Sequence, residues 1–394
     1  MVSIENKKDC CGCTACYSVC PKNCITMEED SEGFNYPKID IENCINCNMC
    51  SKVCPVLKDK PKDDFTYAYI VRNKNNDVLM NSSSGGAFTA FSDTAIDENY
   101  VVFGGAFDDD FNVIHDCAES KADAQKFRGS KYVQSRLDDT FLQIKNLLDS
   151  GRKVLFSGCP CQVAGLVSFL QKPYDNLITV DFVCHAVPSP KVWKKYREYL
   201  TSKYKSNIKA VNFRSKEFGY HCSSMKIEME NGKTQKLGMN ADLLLKSFFQ
   251  NVCCRPSCYD CHFKTTDRYS DITVFDCWDI SRYDKNKKDD NKGYSAVLVH
   301  NQKGQMLFDK IKDKVECCSA DLDVLMATDG LYATRSIDYN PKREKYFELL
   351  NTDMPLNLVV KNVIPVKFSK KILAKIKGVL FRTGLLSLLQ KVKK

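Results

Sequence analysis

Histidine is scarce in this 394-residue chain, with five residues, and no apolar run approaches the about 18 residues of a membrane-spanning helix. Neither G-x-G-x-x-G nor G-x-x-x-x-G-K occurs, which excludes a Rossmann fingerprint and a P-loop as the means of holding a nucleotide. The opening residues, MVSIENKKDC, contain no apolar h-region, so no secretory signal is expected there. Acidic residues are absent from Met354 to Lys394, where ten Lys or Arg occur. The net charge of +9 therefore belongs to that terminal stretch, and the rest of the chain is close to neutral. A nearly neutral body gives no basis for nucleic-acid binding.

Cysteine is what the chain has in excess, 22 in all. Five fall within CCGCTACYSVCP (10–21), too crowded for the side-chain directions that disulfides need. Cys10, Cys13, Cys16 and Cys20 follow C-x2-C-x2-C-x3-C-P, and the pattern returns 34 residues later as Cys44, Cys47, Cys50 and Cys54. A structural zinc ribbon would need only two C-x2-C knuckles. Two full runs, each closed by Cys-Pro, are the spacing of bacterial ferredoxins with two [4Fe–4S] clusters, in which each run's fourth cysteine serves the other cluster. Residues 1–57 thus resemble a two-cluster ferredoxin domain, with Cys10, Cys13, Cys16 and Cys54 on one cluster and Cys44, Cys47, Cys50 and Cys20 on the other. Cys11 and Cys24 are out of register and receive no ligand role. Thiolates that must stay reduced point to the cytoplasm.

KDKPKDD (58–64) reads as a linker. Beyond it, strand patterns at 66–72, 100–107, KVLFSG and LITVDFVC alternate with helix patterns at 84–97, 137–151, 161–170 and 190–203. Gly151 is the expected residue just past its helix, and Asn231-Gly232 signals a type I′ hairpin. The fold class expected is α+β and multidomain: a ferredoxin domain (1–57), the linker, a mixed α/β domain (65–340), and a basic amphipathic tail (341–394). In the tail Ile372, Leu373, Ile376, Val379 and Leu380 recur at helical spacing among lysines, a pattern expected to meet an anionic membrane surface at the inner face or a partner.

Further cysteines lie in GCPCQVAGL (158–166), DFVCHAVPSP (181–190) and VCCRPSCYDCHF (252–263). Cys254, Cys258 and Cys261 also have the radical-SAM spacing, but only a short stretch of chain follows them. With SSSGGAF (82–88), FRGSKYVQS (127–135), RPSCYDC (255–261) and SDIT (270–273), these motifs make the chain resemble the beta subunit of coenzyme F420-reducing hydrogenases and dehydrogenases, in its bacterial form with a fused ferredoxin, over about residues 1–320.

The resemblance implies FAD beside a further [4Fe–4S] cluster held by Cys161, Cys184, Cys258 and Cys261, with Cys253 competing as a ligand. The flavin-binding residues implied are Ser84, Gly85, Gly86, Arg128, Gly129, Ser130, Lys131 and Gln162. Ser84 to Gly86 open a helix whose free N–H groups suit a pyrophosphate, and Arg128, Ser130 and Lys131 offer donors to phosphate. His185 is an acid–base candidate, better read as a packed residue beside Cys184. Two departures from the family pattern stand out. Phe275, Asp276, Cys277, Trp278 and Asp279 replace the usual G-D-x-W-G, and Cys159 stands where GTPCQ has threonine. The expected function is electron transfer between the ferredoxin clusters and a small organic substrate through FAD, with a redox protein as partner. The alternatives are an electron-relay subunit that docks on a partner oxidoreductase, and a degenerate homologue that has lost flavin.

Overall fold

The repeat of the cysteine runs is also a repeat of backbone conformation. In the computed structural model, which describes residues 2, 6–59 and 65–365, Gly12 and Asn46 have φ of 70° and 51°, and Thr14 and Asn48 have 65° and 59°. Each run turns twice through left-handed geometry, which Gly and Asn tolerate best, before a short helix, Ala15–Val19 or Met49–Lys52. Between them lies an antiparallel hairpin, β1 (Ile25–Glu29) and β2 (Asn35–Ile39).

The larger part of the chain is built on an eight-stranded mixed sheet. Its strands are β3 (Tyr67–Asn73), β4 (Tyr100–Phe107), β5 (Val113–Ala118), β6 (Lys153–Ser157), β7 (Leu177–Phe182), β11 (Ile272–Cys277), β12 (Tyr294–Val299) and β13 (Val315–Ser319). The spatial order is β13-β3-β12-β11-β7-β6-β4-β5. The central four, β11, β7, β6 and β4, are mutually parallel, and antiparallel strands flank them on both sides. Central strands such as Val154, Leu155 and Phe156 of β6 are buried on both faces, as parallel sheets require. A separate antiparallel meander holds β8 (Ile208–Ser215), β9 (Ser224–Met229) and β10 (Thr234–Gly238). The architecture is the expected α+β one, an N-terminal ferredoxin-type domain followed by a larger mixed-sheet domain.

At the β9–β10 turn the expected type I′ geometry is absent. Gly232 has φ 82° while Asn231 does not enter the left-handed region, and Gly232 N–H donates to Met229 O at 3.0 Å. One left-handed residue after an i→i+3 bond is the longer hairpin with a glycine bulge, also a normal outcome for Asn-Gly.

Helices Arg343–Leu350 and Leu356–Val363, placed by sequence in the tail, pack instead into a core with Trp193, Phe213 and Phe248. Tyr346, Leu350, Leu356 and Val359 are fully buried there, because their apolar positions recur on one helical face. The lysine-rich stretch containing Ile372 to Leu380 lies outside the described residues, as does most of the 58–64 linker. No described helix is long and apolar enough to cross a membrane.

The N-terminal domain shares its interior with the body. Phe34 of the hairpin loop is fully buried against Phe347, with ring centroids 6.5 Å apart. Glu32 receives a two-pronged contact from Arg343, and its backbone oxygen accepts from Ser189 Oγ. On the other flank, Cys13 lies on helix Pro160–Leu170 where Gly165 faces it: a Cβ on Gly165 would lie 2.7 Å from Cys13 Cβ. Gly165→Ala is therefore expected to push the first cysteine run off the helix, lowering stability by about 1–3 kcal/mol. The check is a fall in Tm together with loss of iron from the N-terminal domain, whereas Gly238→Ala, where the added Cβ meets open space, should show neither.

Candidate functional site

The parallel strands end together on one edge, and the chain places its chemistry there. Gly104 and Gly105 of β4, Ser157 to Cys159 after β6, Phe182 to Cys184 after β7, and Val274 to Asp276 of β11 line one cavity of about 500 Å³. Open sheets bind ligands at the carboxyl ends of parallel strands, and this volume is within the usual range for a small-molecule or cofactor site. A second cavity, of about 360 Å³, adjoins the first, with Cys184, His185 and Tyr332 lining both.

Cys161, Cys184, Cys258 and Cys261, far apart in sequence, line the second cavity. Two thiols not given a role by spacing join them. Cys11 also lines the second cavity, with its thiol in hydrogen-bond reach of Cys161. Cys159 lies in the wall of the first, in reach of both Cys161 and Cys184. Burial pushes the Cys258 thiol up to about 12, so the ligands of any cation bound here would have to give up protons on binding. Cys253 is fully buried in the core with Cys254 and Tyr346, a core against which Cys258 also packs, and it lines neither cavity. Cys254 shares that burial and likewise lines neither cavity. His185 is a packed histidine. Its Nε2 lies 3.0 Å from Asn251 Oδ1, its ring meets Phe248 and Tyr332 edge-on, and burial lowers its pKa.

In the N-terminal domain Cys20 is grouped with the cysteines of the second run. Cys16 feels the charge of Cys10 and Cys54, while Cys20, Cys44, Cys47 and Cys50 line a small hollow of their own. Cys24 belongs to that hollow as well, with its Sγ 3.4 Å from Cys20 Sγ. Among the described residues no three His, Cys, Asp or Glu side chains close to the spacing of a single ion, the arrangement a zinc knuckle uses.

The loops implied for flavin are brought to the first cavity with altered roles. Ser84, Gly86, Arg128, Gly129, Ser130, Lys131 and Gln162 line it, but Gly85 does not. Gly85 is a contact point in the sheet: its N–H donates to Ser295 Oγ at 2.8 Å and its carbonyl accepts from Asn73 N at 2.8 Å. An added Cβ there would lie 2.4 Å from Ser295 N. Gly86 caps helix Ala87–Asp97 at φ 79°, a left-handed value that accounts for glycine at this position. Ser84 Oγ donates to Tyr294 O at 2.6 Å. Gln162 closes its own helix, accepting from Cys159 N and donating to Ser135 Oγ, each at 2.9 Å. Lys131 directs its ammonium at the carbonyl oxygens of Lys126, Arg128 and Gly129. It therefore shapes the 126–131 loop and acts on the cavity through its charge.

Other features fit a cofactor. Gly105 and Gly129 line the cavity at points where a Cβ would meet nothing within 4 Å. His115 stacks on Phe156 and places Nε2 3.0 Å from Ser157 O, leaving Nδ1 a buried acceptor with no partner. Burial holds His115 neutral, with its pKa lowered to about 4. At the far end Arg214 makes a two-oxygen contact with Asp276, and Tyr220 also donates to Asp276 at 2.8 Å. The altered G-D-x-W-G stretch thus keeps its aspartate and tryptophan in the cavity wall, with Trp278 stacked on Tyr220 at 4.9 Å. Sequence inspection missed Arg214, which no motif marks. The SDIT motif forms scaffold: Asp271 Oδ2 accepts from Thr179 N and Oγ1, tying β7 to β11, and Thr273 Oγ1 contacts Asp181 and His300.

The crossed placement predicts that Cys20→Ala removes the cluster of the second run, Cys44 to Cys50, and spares that of the first. Iron analysis should fall by about four per chain, with one of two ferredoxin-type EPR signals lost, whereas Cys24→Ala should keep both.

Comparison with known proteins bears on the same two parts of the chain. Residues 9–57 match the 4Fe-4S dicluster domain, and residues 151–323 match the model for the C terminus of the coenzyme F420 hydrogenase/dehydrogenase beta subunit. An uncharacterised protein of Methanocaldococcus jannaschii is 25% identical over 362 residues, covering 78% of this chain and 90% of the relative. An uncharacterised ferredoxin of the same organism is 38% identical over 68 residues, covering 16% of this chain and 87% of its own length. An NADH-quinone oxidoreductase subunit I of Geobacter metallireducens is 40% identical over 69 residues, 16% of this chain and 53% of that one. Among solved structures, a chain of the F420-reducing [NiFe] hydrogenase complex from Methanosarcina barkeri aligns with a TM-score of 0.46 at 17% identity, covering 70% of this chain and 90% of that one. Residues 151–323 are thus similar to the C terminus of the coenzyme F420 hydrogenase/dehydrogenase beta subunit, and residues 9–57 to a 4Fe-4S dicluster domain.

Proposed function

We propose that this iron–sulfur protein is an FAD-dependent oxidoreductase that exchanges electrons between a redox partner protein and a small organic substrate. The observation that carries the reading is the shared wall of the two cavities. Cys184 and His185 border both the cysteine-lined cavity and the larger one, so a cluster in the first and a flavin in the second would be separated by one layer of side chains. FAD bound in the larger cavity would supply the exchange between one-electron and two-electron chemistry.

The chain's own residues have separable tasks in this reading. Cys161, Cys184, Cys258 and Cys261 are the ligand set for the third cluster, and soft iron–sulfur centres select thiolates. Arg128 reaches Thr89 Oγ1 at 3.4 Å and pairs with no carboxylate among the described residues, which leaves its guanidinium for a pyrophosphate at the cavity mouth. Gly105 and Gly129 leave room for the ligand, and neutral His115 offers Nδ1 as an acceptor. Arg214, whose Nη2 has no hydrogen-bond partner, together with Asp276 and Trp278, forms the wall that meets the substrate.

Anaerobically purified protein is expected to hold about twelve irons, the four beyond the dicluster domain belonging to the body site, together with one FAD. Cys258→Ala should lose the last four irons and stop reduction of the flavin by the ferredoxin clusters, and Cys253→Ala should lower Tm without loss of iron. Two ferredoxin clusters with neither flavin nor further iron after reconstitution would overturn the reading. Flavin that is reoxidised only when a partner protein is added would assign the chain as a relay.

A pH dependence follows from Lys131. Burial pulls its pKa down to about 7, so the free site loses this positive charge as pH rises through that value, while an anionic ligand favours the protonated form. Binding then requires proton uptake above pH 7. FAD affinity should be flat below about pH 7 and fall by up to about tenfold per unit above it. In Lys131→Met the profile should be flat and binding weaker at low pH. An unchanged profile in that variant, followed by flavin fluorescence, removes Lys131 from the anion site.

A further inference from the structure

Arg255 opens the RPSCYDC motif, yet its side chain turns toward the N-terminal domain. It is 1% exposed. Nε donates to Cys10 O at 2.8 Å, Nη1 to Gln134 Oε1 at 3.0 Å, and Nη2 to Asn35 O at 3.0 Å, with Cys10 Sγ 3.7 Å from Nη2. The guanidinium lies 4.3 Å from the ring centre of Tyr36. A Cβ on Gly12 would be 2.8 Å from Nη1, so the first cysteine run approaches this closely only because residue 12 is glycine. Gln134 holds the same loop from its other end, donating to Cys11 O at 3.1 Å. On the body side, Cys258 N–H donates to Arg255 O at 3.0 Å. Carbonyls, an amide and a thiol make up the polar contacts of this buried cation, and no carboxylate is among them.

We infer that Arg255 is a positioning residue that raises the reduction potential of the first ferredoxin cluster, that of Cys10, Cys13, Cys16 and Cys54, above that of the second. Reduction adds one electron to a cluster and bonds are neither made nor broken. A buried cation hydrogen-bonded to a ligand sulfur stabilises the more negative state, and in a low-dielectric interior its field is poorly screened. The hollow of the second cluster is lined by cysteines, Pro21, Lys22, Ile25, Ile39, Ile45 and neutral polar residues, with Lys22 exposed to solvent. An electron shared by the pair therefore rests on the cluster nearer the body cavities. Arg255 also lines the cysteine-lined body cavity, but the test reads the first ferredoxin cluster, so the inference stands or falls separately from the flavin reading.

The test is a redox titration followed by EPR on the full chain, reconstituted anaerobically, with the first-cluster signal assigned in the Cys20→Ala background. In Arg255→Gln the reduced-to-oxidised ratio of the first cluster at fixed potential should drop about tenfold, equivalent to ~59 mV for a one-electron couple, while the second cluster stays in place. Arg255→Lys, which keeps the charge, should recover most of the shift. Gln134→Glu keeps the arginine but sets a carboxylate against Nη1, and should shift the first cluster in the same direction. An unshifted first cluster in either Arg255→Gln or Gln134→Glu with irons retained overturns the inference, as does an equal shift of both clusters. Should the variants lose iron instead, loss of the first cluster alone supports the positioning role, and loss of both overturns it.

Discussion

Packing the N-terminal domain against the body is the constraint on which the rest depends, because it brings thiols from distant parts of the chain to one place. Helix Pro160–Leu170 starts at the edge of the sheet with Cys161 in its first turn and, one turn on, offers Gly165 as a flat place for Cys13. The same helix therefore carries a body thiol and seats the first cysteine run. Phe34 buried against Phe347, and Glu32 held by Arg343, fix the hairpin on the opposite flank. With both flanks anchored, Cys11 is brought to a cavity whose other thiols come from residues 161, 184, 258 and 261.

The scaffold beneath that edge is held by buried polar contacts as well as by apolar packing. Asp271 accepts two hydrogen bonds from Thr179 and a third, at 2.7 Å, from Asn301 Nδ2, which fixes β11 beside β7 and aligns the ends of the two strands. Asp181, fully buried, is accompanied by Arg268 at 3.5 Å and by Thr273. Removing one partner of such a group leaves a buried charge uncompensated, which costs several kcal/mol.

The two cavities share Cys184 and His185 as a wall. The smaller one is lined by Cys11, Cys161, Cys184, Cys258 and Cys261. The larger one has aromatic walls in Tyr132, Phe248 and Trp278, a cationic loop, and a buried Arg214–Asp276 pair at its far end. The second ferredoxin hollow sits away from both, with Cys47 and Ile45 exposed, so the outermost thiols are the ones a redox partner can approach.

Local spacing determined much of this by itself. The dicluster domain, the strands at 100–107 and 153–157, and the helix ending before Gly151 all follow from patterns contained within a few tens of residues. Motif order also picked out four body cysteines that line one cavity. Tertiary structure alone decided the rest, because the partners are far apart in the chain. Cys11 and Cys24 look surplus in sequence and stand beside Cys161 and Cys20 in space. Cys253 looks like a ligand in sequence and is fully buried in the core beside Cys254 and Tyr346. Gly85 and Gln162 were assigned to a cofactor by motif, yet their polar groups are taken by Ser295, Asn73, Cys159 and Ser135. The helices after residue 341 read as tail because a basic stretch follows them, although their apolar faces are covered by the body core. Periodicity specifies which face of an element is apolar. What covers that face, and which thiol lies opposite which, is set by contacts between residues hundreds of positions apart, such as Cys10 and Arg255.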